Sequence, residues 1–107
     1  MEPSCVKVRL RPGSLARVRQ WASELRARSD EVMATLEDEG VILESVFLDS
    51  SEQGDYLIHY VRAPSLDAAQ EAVSRSVHPI DAYHRQFKVD AWESRTPLEL
   101  LIDFERG

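Results

Sequence analysis

Apolar and polar residues alternate through CVKVRLRPG, with Val6, Val8 and Leu10 on one side and Lys7, Arg9 and Arg11 on the other, until Pro12-Gly13 ends the run. A period of two predicts a half-buried strand. The period then becomes helical: Leu15, Val18, Trp21, Ala22, Leu25, Val32, Met33 and Leu36 form a stripe that Ser14 is placed to cap and Gly40 to end. The stripe crosses Ser29-Asp30, where a bend or short break is expected. Its last turn carries Glu37, Asp38 and Glu39, the wrong sign for a helix C-terminus, so a solvated end is expected there.

VILESVFLD and YLIHYVR predict two strands joined by the turn-forming SSEQGD, and both are apolar on both faces. Pro64-Ser65 opens a second helix, with Ser65 as cap and Leu66, Ala69, Val73 and Val77 as its buried line. Pro79 biases His78 away from helical geometry and suits the first turn of a further helix, on which Ile80, Tyr83, His84 and Phe87 share a face. After Trp92 and a loop ESRTP, the segment LELLIDFE alternates Leu98, Leu100, Ile102 and Phe104 with Glu99, Leu101, Asp103 and Glu105, and predicts the last strand.

Strand, helix, strand, strand, helix, strand is the order of a ferredoxin-like α+β domain, a four-stranded antiparallel sheet with its helices on one face. The last strand then lies beside the first, and Lys7, Arg9 and Arg11 are expected opposite Glu99, Asp103 and Glu105, at ~0.2 to 1 kcal/mol per pair. The helices leave the second face bare, although the middle strands are apolar on both: Ile42, Val46 and Leu48 against Leu43 and Phe47, and Tyr56, Ile58 and Tyr60 against Leu57 and Val61. A second copy of the sheet is the simplest cover, so a homodimer is expected.

Composition narrows the classes. With 107 residues, 43% of them hydrophobic and 30% charged, the chain has room for one soluble domain spanning 1–107. The net charge of -6 opposes binding to nucleic acid. No stretch approaches the ~20 apolar residues of a membrane helix, and a cytoplasmic protein is expected. Cys5 is the sole cysteine and reads as a small strand residue suited to a reducing compartment. Glycine-rich phosphate loops, paired cysteines and a nucleophile elbow are all missing, so no cofactor is expected.

In CVKVRLRPGSL, EGVILESVFLD, YLIHYV, HPIDAYH and LELLID the chain resembles small bacterial proteins of the dimeric α/β barrel class, and within that class a family of unknown function. The resemblance spans nearly the whole chain. It implies a ferredoxin-like protomer that pairs sheet to sheet, and it supplies no reaction. Cofactor-independent monooxygenases, haem-degrading enzymes and chlorite dismutase-like proteins share the architecture, but no residue motif here carries their chemistry over.

The chemical candidates centre on HPIDAYH. On a continuous helix His78 and His84 would stand about 120° apart around the axis and about 9 Å apart along it, which is poor geometry for one metal ion, so no metal site is expected. Asp81 and His84 are better placed, because three residues' separation on one helix lets the carboxylate orient the imidazole. Glu44 and His59 are the odd polar residues of otherwise apolar strands. The catalytic set expected is thus His84, Asp81 and Glu44, with His59, Tyr83 and Trp92 lining a pocket for an apolar small molecule between sheet and helices. The competing reading is a non-catalytic dimeric interaction module. In it Asp81 serves the helix dipole and pairs with Arg85, while Glu44 pairs with Lys7 or Arg9 at the seam.

Overall fold

The computed structural model describes Met1–Gly107. The elements run β1 (Glu2–Leu10), α1 (Leu15–Ala27), α2 (Ser29–Glu39), β2 (Leu43–Ser51), β3 (Gly54–Ala63), α3 (Leu66–Ser74), α4 (Pro79–Ala91) and β4 (Trp92–Pro97). The strands form one antiparallel sheet in the order β2-β3-β1-β4, the ferredoxin-like arrangement that the element order predicts. No helix is long and apolar enough to cross a membrane.

Each crossover is a helix pair, and α1 packs on α4 while α2 packs on α3. The expected break falls at Arg28, whose guanidinium contacts Glu31 at 2.6 Å and Glu24 at 3.5 Å across the junction. Gly40 ends α2 in the left-handed region at φ 70°, which lets the Val41 N–H return to the Leu36 carbonyl at 2.9 Å. Ser65 caps α3, its side chain accepting from the Ala68 N–H at 3.1 Å. Ser14 precedes α1 without capping it: the residue is buried, and only its carbonyl takes part, accepting from the Val18 N–H.

Strand register sorts the side chains by face. Opposed pairs share a side, so Val6 with His59, Val8 with Leu57 and Glu44 with Val61 look toward the helices. Cys5 with Tyr60, Lys7 with Ile58, and Phe47 with Ile58 look away from them. The main core joins Val6, Val8, Leu10 and Leu57 of the sheet to Val18, Trp21, Phe87 and Ala91 of α1 and α4. A smaller one holds Val41, Ala63 and Ala69 under α2 and α3.

Two expectations about where elements lie fail. The last strand is Trp92–Pro97, not Leu98–Glu105, because α4 ends against the end of β1, where the Arg11 N–H donates to the Ala91 carbonyl at 2.8 Å. The chain is therefore already alongside Leu10 at Trp92 and pairs at once, with Glu93 accommodated in a register shift. Lys7 and Arg9 consequently face Thr96 and Ser94, not Glu99, Asp103 and Glu105; Arg9 instead reaches Glu93 at 2.8 Å. Beyond Pro97 only Leu98 hydrogen-bonds to the sheet through its backbone, at Cys5, while the Asp103 and Glu105 side chains reach Arg62 of β3 at 2.6 and 3.3 Å. The second failure is α3, which stops at Ser74 and leaves Val77 92% exposed, outside the buried line.

Phe87 is fully buried at the centre of the main core, so F87A is expected to lower unfolding free energy by about 3 to 5 kcal/mol in urea titrations. V77S, on an exposed side chain, should shift it by less than about 0.5 kcal/mol.

Candidate functional site

A cavity of about 500 Å³ lies between the sheet and the four helices. Its walls are apolar through Val6, Leu25, Val32, Leu36, Val61 and Ile80, yet Glu39, Glu44, His59, Asp81, His84, Lys88 and Arg95 also line it. Polar groups of this number on the inner face of a small domain are costly unless they bond to one another or to a ligand.

Glu44 and His59 arrive from neighbouring strands. Both look toward the helices by register, which removes Glu44 from Lys7 and Arg9 on the opposite face. Glu44 Oε1 stands 3.7 Å from His59 Nε2, with the side chains 28% and 22% exposed. That separation is too long for a hydrogen bond, and His59 Nε2 is buried without a partner. Burial alone would raise the Glu44 pKa, but His59, together with His84 and Lys88, holds it below the ordinary glutamate range.

His84 enters from α4, the helix that begins at Pro79 as expected. Its orienting partner is Trp21, not Asp81: the indole Nε1–H donates to His84 Nδ1 at 3.0 Å. An imidazole that accepts at Nδ1 must carry its proton on Nε2, and an imidazolium would lack the lone pair altogether. Burial, with the Lys88 ammonium next, pushes the His84 pKa down to about 4, against the opposing pull of Glu44. The histidine is therefore a neutral donor at pH 7. Asp81 lines the cavity but accepts from the Ser76 hydroxyl, and it forms no ion pair with Arg85.

Trp92 also lines the cavity, as the first residue of β4. Its Nε1 is buried without a partner. Tyr83 does not reach the cavity: its hydroxyl accepts from Arg17 at 3.2 Å, and its ring lies against Arg17 and Arg28. His78 is likewise outside, its Nε2 2.5 Å from Asp38 Oδ2. This contact gives the acidic end of α2 a partner where a solvated end was expected.

Four residues of the site lay outside the expected set. Trp21 belonged to the helical stripe, where nothing marks an indole that donates inward. Lys88 follows His84 by one turn, a legible spacing. Arg95 was hidden in the supposed loop. Glu39 turns inward from the acidic run, and burial, then Glu44, Asp81 and Asp38, push its pKa up to about 7. No group of three or more His, Cys, Asp or Glu is placed to hold a metal ion.

These shifts have opposite signs in pH. His84, a base depressed from 6.5 to about 4, contributes stability in full above pH 6.5 and loses it as pH falls toward 4. Glu39, an acid raised from 4.5 to about 7, destabilises progressively as pH rises across that interval. In urea titrations the wild type should lose roughly 2 to 3 kcal/mol relative to H84Q between pH 6.5 and 4, at about 1.4 kcal/mol per pKa unit. It should also lose stability relative to E39Q between pH 4.5 and 7. In W21F the NMR-titrated His84 pKa should rise toward 6.5; an unchanged value would remove Trp21 from the account.

Among solved structures, L-rhamnose mutarotase from Formosa agariphila superposes with a TM-score of 0.67 at 19% identity, over 98% of this chain and 100% of that one. The Mycobacterium tuberculosis protein Rv0793 superposes with a TM-score of 0.52 at 23% identity, over 97% and 100%. At these identities the likeness establishes the fold alone. No curated protein matches the chain. A family match extends over residues 1–106, and the chain belongs to that family of unknown function, DUF6176.

Proposed function

We propose that this protein binds a small molecule in the sheet-helix cavity and acts on it by proton transfer, as a homodimer with one site per protomer. The observation that carries the reading is the cavity itself: about 500 Å³, apolar in its walls, with His84, Glu44 and His59 all on its lining. That volume suits a ligand of drug or metabolite size. His84 Nε2–H is the fixed donor to a carbonyl or hydroxyl oxygen, a role that neutral imidazole performs without leaving its charge state. Glu44, held ionised beside His59, is the group to accept a proton, and His59 shares or returns it. Asp81 acts at a distance, through the field it adds to His84.

The homodimer is supported by the opposite sheet face. Leu43 and Phe47 are 43% and 64% exposed there, beside Ile58 and Tyr60. Leu98, Leu100, Leu101, Ile102 and Phe104 extend the apolar surface along the tail. A patch of this kind, rimmed by the Arg62 ion pairs, fits a second copy of the chain better than water.

Two measurements test the proposal. Titrating labelled protein with a fragment library should yield binders that shift the His59, His84 and Trp92 side-chain resonances, and V73F, which fills the wall, should weaken them at least tenfold; binders that move only the Phe47 face would sink the pocket. Light scattering at micromolar concentration should give twice the chain mass for the wild type and the single mass for F47E, with the cavity histidines' resonances unchanged.

A further inference from the structure

The cavity is electrically uneven in its partners. Two of its acids have close neighbours: Glu44 Oε1 lies 3.7 Å from His59 Nε2, and Asp81 accepts from the Ser76 hydroxyl. The two cations lack such partners. Lys88 and Arg95 both line the cavity, and neither side chain makes a hydrogen bond or salt bridge within the chain. Arg95 sits opposite Val8 on β1, and so on the helix side of the edge strand. Lys88 Nζ lies 5.0 Å from the centroid of the Trp92 ring. The Trp92 Nε1–H, between these residues in the chain, is buried and unpaired.

The buried donor of Trp92 and the half-buried ammonium of Lys88 lack an acceptor, and the exposed Arg95 lines the same cavity. Burial lowers the Lys88 pKa and Arg95 lowers it further, while Glu44 and Asp81 oppose the shift and Arg85 adds to it. An oxyanion placed among the three donors would relieve the repulsion and supply every missing acceptor, with the planar guanidinium suited to grip two oxygens at once.

We propose that Lys88, Arg95 and the Trp92 Nε1–H form an anion subsite, and that the ligand of this cavity carries a carboxylate or phosphate on an uncharged body. This rests on the cavity being a ligand site, and adds the ligand's charge and its orientation: oxyanion toward β4, uncharged body toward His84 and the apolar wall of α2 and α3.

The test is an NMR titration of the full chain with hexanoate, hexyl phosphate and hexanamide, read at the Trp92 indole N–H. Both anions are expected to shift this resonance saturably, and hexanamide to bind at least tenfold more weakly. K88Q and R95Q should each weaken the anions at least fivefold and leave hexanamide unaffected, with the remaining spectrum preserved. A tighter fit to hexyl phosphate than to hexanoate assigns a phosphate, and the reverse a carboxylate. Hexanamide binding as tightly as hexanoate, or anion affinity unchanged in both K88Q and R95Q, overturns the anion subsite while the cavity reading stands. If none of the three compounds moves a cavity resonance, the cavity reading falls as well.

Discussion

The contact on which the rest depends is the one Trp21 makes in two directions. Its ring stacks on Phe87 at 4.4 Å between centroids with 8° between planes, and its Nε1–H donates to His84. The stacking joins α1 to α4 over the sheet, in the most deeply buried part of the molecule. The hydrogen bond then sets the tautomer of His84 from inside that core. One side chain thus ties His84 of the cavity lining to the packed core.

The cavity follows from how the helices pair. Because the long crossover breaks at Arg28, α1 joins α4 while α2 joins α3, and apolar packing divides into two clusters. Between them the sheet presents Glu44 and His59 where apolar side chains would close the gap. Two polar residues on that face keep the clusters apart, since desolvating them against hydrocarbon is costly. Charged residues at Glu39, Lys88 and Arg95 also line the gap.

Most of the fold was legible because the periods are clean. CVKVRLRPG, the two apolar hairpin strands, the long helical stripe and the Pro79 boundary each announce their element, and the element order leaves one sensible topology. LELLIDFE misled for the same reason: it alternates better than WESRTP, but α4 delivers the chain to β1 at Trp92, so the poorer sequence pairs. Position overrode pattern.

By itself the sequence determined the first three strands, the helices and the presence of polar residues in apolar strands, because all of these are local regularities. It also placed His84, Glu44, His59 and Trp92 among the residues to watch. Only the tertiary structure decided which of them meet. Tyr83 shares a stripe with His84 yet turns to Arg17, Asp81 is taken by Ser76, and Trp21, 63 positions away from His84, becomes its partner. The physical reason is that a hydrogen bond depends on distance and direction to about half an ångström, and a periodic pattern specifies only a face.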